Sequence, residues 1–239
     1  MRILITGGAS GLGEVITRRF CAVGENVVFF TFSKSGAGAA RIVAQYPGSE
    51  SIACDFTDET SLARLLARVP ELGIDVLVDN ALTGMQTRHF HQSKPDDFLS
   101  SFVKNVMPTL RITQQALKSF RKNKSGRIVT VLSSYVASRP PIGLSEYIAN
   151  KAYLLSLSRS WAVENAKFNI AANCVSPSMM RTGLTADVDE RQIEDIAASN
   201  PSGRLVTPEE VADAVLFLAQ ASQQLNGVNL LINGGSDVI

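Results

Sequence analysis

The chain has 239 residues, 45% hydrophobic and 19% charged, enough for one α/β domain with a full core. Its 23 basic and 22 acidic side chains are interspersed and leave a formal charge of +1, which excludes the long-range field that a nucleic-acid backbone or an anionic membrane would need. No apolar run approaches the ~18 residues of a membrane span, the N-terminus lacks a signal-peptide layout, and Cys21, Cys54 and Cys174 are odd in number and set in apolar segments, as reduced core thiols of a cytoplasmic protein would be.

Short β-branched runs alternate with longer stretches of helical period. Strands are expected at Arg2–Thr6, Asn26–Phe32, Glu50–Cys54, Asp75–Asp79, Gly126–Ser133, Asn169–Val175 and Val228–Ile232. Helices are expected at Leu12–Val23, Ala37–Tyr46, Glu59–Val69, Asp96–Lys122, Glu146–Ala166 and Pro208–Ala221. Most of the strands are continuous apolar runs, as when helices cover both faces of a sheet. Repeated strand–helix–strand units then predict a doubly wound, parallel, seven-stranded sheet in a single domain spanning 1–239. One polar stretch, Ser178–Arg204, breaks the rhythm and reads as a flexible substrate flap.

The first strand runs into Thr6-Gly7-Gly8-Ala9-Ser10-Gly11-Leu12-Gly13, which opens the first helix. Glycines at such a junction permit a tight turn and close backbone approach to a pyrophosphate held on helix N–H groups. Gly7, Ser10, Gly11, Leu12 and Gly13 are therefore candidate cofactor contacts. An acid near the end of the second strand would pair with the ribose of NAD. Here stand Thr31, Phe32, Ser33, Lys34 and Ser35, which favours NADP(H), although Lys34 also fits a solvated turn. An acid placed at Thr31 or Ser33 should swing the preference to NADH. Asp55, with Phe56 beside it, follows the third strand and reads either as an acceptor for the adenine amine or as a turn and capping residue.

Tyr147 and Lys151 lie four apart in an expected helix, hence on one face. A phenol works as an acid–base group near neutrality only if a cation stabilises its anion, and Lys151 is placed for that. Ser133-Ser134 closes the fifth strand, and strand C-termini are where open α/β sheets bind ligands.

Together these pieces resemble the short-chain dehydrogenase/reductases of the single-domain type. The match runs through Thr6–Gly13, Asp55, Asp79-Asn80-Ala81, Asn105, Ser134, Tyr147, Lys151 and Pro177. Within that family the chain is most similar to 3-oxoacyl-[acyl-carrier-protein] reductases, through Gly126-Arg127-Ile128-Val129, Ala149-Asn150-Lys151-Ala152 and Asn233-Gly234-Gly235. The resemblance implies a Rossmann-type fold and a carbonyl reductase using NADP(H). Tyr147 would be the proton donor, Ser134 the carbonyl-orienting hydroxyl, Lys151 the group that lowers the Tyr147 pKa and holds ribose, and Asn105 the anchor of a proton-relay water. Asn80, Ala81, Pro177, Met180 and Thr182 would complete the cofactor site. The expected substrate is a 3-oxoacyl thioester; an alcohol, sugar or steroid-type dehydrogenase and a non-catalytic nucleotide binder are the alternatives. Enoyl reductases of this superfamily separate Tyr and Lys by six residues rather than three, which disfavours C=C reduction. The resemblance also implies a homotetramer or homodimer built on the long helices, with Tyr153, Leu154, Leu157 and Trp161 as surplus apolar surface.

Two departures stand out: Leu82 replaces the last glycine of the family's Asn-Asn-Ala-Gly, and Ser178 follows Pro177 where glycine is usual. Other features read as ordinary. His89 and His91, without further ligands, are taken as solvated, so no metal is expected. Asp96-Asp97 reads as a helix-start signal, and Asp187, Asp189 and Glu190 as solvated charges. Arg127 and Lys167 fit either acyl-carrier-protein docking or ordinary surface charge.

Overall fold

The computed structural model describes residues 1–185 and 188–236. Seven strands form one all-parallel sheet in the order β3-β2-β1-β4-β5-β6-β7: β1 Arg2–Ile5, β2 Val27–Phe32, β3 Ser49–Ala53, β4 Val76–Asp79, β5 Gly126–Val131, β6 Ile170–Pro177 and β7 Asn229–Ile232. Every strand anticipated from the apolar runs is present, with ends displaced by a residue or two.

Alternation within the strands sorts the core into two layers. Ile3, Ile5, Val28, Phe30, Val76, Val78 and Val129 face α1 (Gly11–Cys21), α2 (Gly36–Gln45) and α8 (Pro208–Gln220). Leu4, Phe29, Leu77, Ile128, Ile170 and Ala172 face α3 (Glu59–Arg68), α5 (Met107–Asn123) and α6 (Ser145–Asn165). Helix cover on both faces explains why the strands are apolar throughout. Winding reverses between β1 and β4, so the loops after these two strands part and leave a crevice at the C-terminal edge of the sheet.

Two expectations need correction. The stretch Asp96–Lys122 is not one helix: α4 (Pro95–Asn105) ends at Val106 and α5 begins at Met107. Pro108 supplies no N–H and disfavours helical backbone before it, so the chain breaks there and resumes with proline in the first turn. The polar stretch 178–204 is not structureless either. It contains α7 (Glu190–Ser199), capped by the Asp189 carboxylate on the Arg191 N–H at 2.9 Å and seated through buried Ile193. Asp189 is thus a cap, and Glu190 pairs with Arg181 at 2.9 Å; Asp187 lies outside the described residues. Asp97 also caps: it accepts the Lys94 N–H at 3.0 Å and pairs with Arg88 at 2.9 Å.

Candidate active site

Thr6 ties the glycine loop to the end of β4. Its Oγ1 accepts the N–H groups of Asn80 (2.9 Å) and Ala81 (3.0 Å), while Asn80 Nδ2 donates to the Thr6 carbonyl at 3.0 Å. The loop then turns at Gly7, whose φ of 68° lies in the left-handed region. Gly13 seats the first turn of α1 so close that a Cβ on it would stand 2.0 Å from the Gly7 carbonyl oxygen. Ser10 precedes the helix but makes no capping bond, which leaves the first-turn N–H groups pointing out beside exposed Ser10 and Gly11, with Leu12 next in the turn. A cradle of this shape, too tight for side chains and lined with N–H groups at the positive end of a helix, fits a dinucleotide pyrophosphate. The turn after β6 closes over it. Thr182 Cβ comes within 3.9 Å of the position a Cβ would take on Gly11, and Thr185 Oγ1 holds the Met180 and Thr182 carbonyls at 3.0 and 3.1 Å. Pro177 ends β6 at the same edge, with Met180 buried behind it.

At the ribose end the five candidates separate. Thr31 is not a surface contact: it is 1% exposed and its Oγ1 accepts the Gly7 N–H at 2.9 Å, so it shapes the loop from below. Ser33 and Lys34 are exposed and both act on Asp55 across the neighbouring strand end, lowering its pKa after the larger effect of Thr57. Asp55 Oδ1 takes both the N–H (2.9 Å) and the hydroxyl (2.8 Å) of Thr57, the turn role foreseen for it, while half-buried Phe56 packs on the α3 side of the core.

At the chemical end, α6 carries Tyr147 and Lys151 to the ends of β5 and β6. Tyr147 is partly buried, and burial pushes its phenol up to about 12, opposed by a hydrogen bond from Ser133. Ser134, picked out by spacing, is 2% exposed and starts a short 3-10 turn one residue on. Both serines are buried at the end of β5. Lys151 is 7% exposed; its Nζ donates to the Val131 carbonyl at 2.7 Å and stands 5.8 Å from the centre of the Tyr147 ring. Burial brings the ammonium down to about 8, opposed by Asp79 and Cys174. Lys151 and Tyr147 thus lie on one face of α6, with the ammonium beside the ring.

Asn105 sits at the break between α4 and α5. Its Oδ1 accepts the Thr83 N–H at 2.6 Å, and its Nδ2 bonds Ser101, which also receives Asn150 Nδ2 at 2.9 Å. The asparagine thus anchors the loop after β4 to α6. That loop meets the one after β5 through the Arg88 N–H and the Gly143 carbonyl at 2.9 Å. His89, Phe90, His91, Pro140, Pro141, Ile142, Gly143 and Ser145 line an open cavity of about 420 Å³ there. The two histidines are exposed, 5.7 Å apart, and no metal-holding cluster exists among the described residues. Leu82 is partly buried beside this loop. Arg127 lies at the opposite end of β5, bonded to the Gly126 (2.9 Å) and Asn169 (3.3 Å) carbonyls.

Residues 7–237 match the family described as enoyl-(acyl carrier protein) reductase. The chain belongs to the short-chain dehydrogenase/reductase family. It is 31% identical over 238 residues to the 3-oxoacyl-[acyl-carrier-protein] reductase FabG of Salmonella typhimurium, covering 97% of this chain and 95% of that protein. It is 32% identical to the reductase MabA of Mycobacterium bovis, covering 98% and 91%. Among solved structures, a 3-ketoacyl-(acyl-carrier-protein) reductase from Brucella melitensis complexed with NADH superposes with a TM-score of 0.87 at 28% identity, covering 99% of this chain and 98% of that one. Membership makes the chain an NAD(P)-dependent oxidoreductase acting on CH–OH and C=O groups. No helix among the described residues is long and apolar enough to cross a membrane.

Proposed function

We propose that the protein is a cytoplasmic NADPH-dependent ketoreductase of 3-oxoacyl thioesters, carried by acyl carrier protein or coenzyme A, in fatty-acid synthesis. The observation that carries this reading is the pairing of Tyr147 with the buried Lys151, whose Nζ stands 5.8 Å from the phenol ring and is held on the Val131 carbonyl at the end of β5. When bound, a nicotinamide dinucleotide supplies the hydride. Gly7, Ser10, Gly11, Leu12 and Gly13 hold its pyrophosphate; Asn80, Ala81, Pro177, Met180 and Thr182 border the nicotinamide half. Tyr147 donates its proton to the substrate carbonyl oxygen. Ser134 orients that oxygen, and Lys151 offsets negative charge as the phenol gives up its proton. Asn105, fixed between α4 and the loop after β4, is placed to anchor a relay water. The cavity bordered by Phe90, Pro140, Pro141 and Ile142 is apolar, suited to an acyl chain. Initial rates of NADPH oxidation with acetoacetyl thioesters, sugars, simple ketones and steroids test the reading. Thioesters should give the highest kcat/KM; a sugar or steroid preferred over every thioester overturns it.

The preference for NADPH rests on Ser33 and Lys34, exposed at the end of β2 with no acid there. NADPH should bind more tightly than NADH, by a modest margin because no arginine is at hand. Ser33→Asp should reverse the order through repulsion of the 2′-phosphate, measured by fluorescence titration of both cofactors. An unchanged order in that variant would remove Ser33 from the ribose site. Thr31→Asp should instead disrupt the loop, since it buries a charge under Gly7.

The assembly reading is a homotetramer. Leu154 and Trp161 are spent on the core, but Leu99, Val103, Tyr153 and Val163 stay exposed on α4 and α6, and Phe217 on α8. Apolar surface of this kind on adjacent helices suits a closed two-fold interface. Light scattering at low micromolar concentration should report a mass well above one 25.7 kDa chain; a fully active monomer overturns it.

A further inference from the structure

One buried acid, in the same layer as Lys151, has not been used by the proposed chemistry. Asp79 ends β4, the strand that abuts the crevice, and is 4% exposed. Alternation along the sheet puts it on the α5–α6 side, in register with Thr130 of β5 and, one strand further, Cys174 of β6. Thr113 of α5 donates its hydroxyl to Asp79 Oδ2 at 3.0 Å. Oδ1 receives no hydrogen bond. Two other buried hydroxyls are orphaned among the described residues, Thr130 Oγ1 and Ser158 Oγ. Thr130 is the register partner of Asp79, and Ser158 is two turns of α6 beyond Lys151. The orphaned oxygens are thus confined to the sheet–α6 layer that also seats the lysine.

An ionised carboxylate with one oxygen unpaired is costly to bury and persists where a charge compensates it. Lys151 is that charge, and each of the two acts on the other. Other titratable groups in the layer do not compete. Cys174 of β6 is pushed up to about 11 by burial and stays neutral, with Arg159 of α6 acting on it more weakly, while α5 and β5 contribute only the hydroxyls of Thr113 and Thr130. Tyr147 of α6 keeps its proton throughout this range.

We propose that Asp79 is a positioning residue for the Tyr147–Lys151 pair: its buried carboxylate, in register with Thr130 beside the Val131 carbonyl that holds Lys151 Nζ, keeps the lysine charged for the reacting groups. This rests on the catalytic reading of Tyr147 and Lys151 given above. The carboxyl is raised to about 7, chiefly by burial, with the Thr113 bond and Lys151 working against it. In the folded chain it holds its proton to higher pH than in the unfolded chain. Its contribution to stability is therefore complete below the unfolded pKa of ~4 and is lost as pH rises through about 7. Above about 7 the carboxylate is present and sustains the ammonium; without it the lysine, already down at about 8, would lose its proton earlier. The protein accepts a stability cost at neutral pH and keeps its lysine charged there.

The test pairs Asp79→Asn, which is isosteric and neutral, with Asp79→Ser as a second neutral variant should the first fold poorly. Ser158→Ala serves as a control that alters the same layer without touching charge. Lys151 ionisation is followed in the protein alone by ¹³C-lysine NMR, its resonance identified by its loss in Lys151→Arg. Both neutral variants should titrate Lys151 lower by roughly one pH unit, the effect of removing an opposite charge from the same buried layer. The alkaline limb of kcat/KM for carbonyl reduction should move down with it, while Ser158→Ala leaves both in place. Melting temperature should favour Asp79→Asn increasingly from pH 5 to pH 7.5. An unmoved Lys151 titration overturns the proposal, even if stability changes. If the wild-type enzyme reduced no carbonyl at all, the ketoreductase reading would fall, but the lysine titration would still decide the role of Asp79.

Discussion

Tyr147→Phe should lower kcat for carbonyl reduction by about 10²–10⁴, the usual worth of a positioned general acid, or ~3–5 kcal/mol of barrier. The variant should fold normally, because the ring stays and only a hydroxyl at the crevice is lost. Cofactor affinity should also stay close to wild type, since Lys151 is held independently by the Val131 carbonyl at 2.7 Å. KM should change little, as the proton is transferred only in the transition state. The measurement is steady-state NADPH oxidation with an acetoacetyl thioester, beside a fluorescence titration of the cofactor. Turnover within a few-fold of wild type would take Tyr147 out of the mechanism. Lys151→Ala should differ in kind, since it removes the charge that offsets the departing proton and a group at the cofactor site together. It should slow turnover and weaken cofactor binding in the same protein.

Gly13→Ala should damage both stability and cofactor binding. The new Cβ would lie 2.0 Å from the Gly7 carbonyl oxygen and 2.6 Å from Asn80 Nδ2, and the first of these is backbone that no rotamer change can move. Overpacking of this sort costs ~1–3 kcal/mol where neighbours can give, and here the neighbour is the loop itself. Relief requires α1 to part from Gly7, which opens the cradle and breaks the clip from Asn80 Nδ2 to the Thr6 carbonyl. Affinity for the dinucleotide should fall by on the order of 10²-fold, with a lower melting temperature. Gly24 makes the contrast: a Cβ there meets nothing within 4 Å, so Gly24→Ala should leave binding unchanged. Wild-type affinity in Gly13→Ala would mean that the loop is not the pyrophosphate site.

The sequence alone determined the architecture, because the signals that specify it are local. Continuous apolar runs mark strands covered on both faces, and helical periods between them impose parallel crossovers, so seven strands in a doubly wound parallel sheet could be read directly. The glycine spacing after β1 and the four-residue step from Tyr147 to Lys151 are equally local, since each is a geometric requirement on neighbouring residues. Proline at 108 was just as visible, yet its consequence for the stretch Asp96–Lys122 depended on the chain being able to restart as α5 after Val106. The helix α7 was masked by polar composition, for a single buried apolar side chain, Ile193, and an aspartate cap suffice to seat it on an already formed body. Only the folded structure decided matters that turn on side-chain direction and burial. Thr31 and Ser33 differ by two positions, and the first lies under Gly7 while the second is in solvent. Asp79 is the sharpest case, because its letter stands in a motif that elsewhere carries asparagine. What makes it chemically different is the loss of water on both faces of the sheet, with Thr113 on one oxygen and a buried lysine acting on its charge. Desolvation and long-range pairing are sums over groups brought together from β4, β5, β6, α5 and α6, and no stretch of sequence contains them.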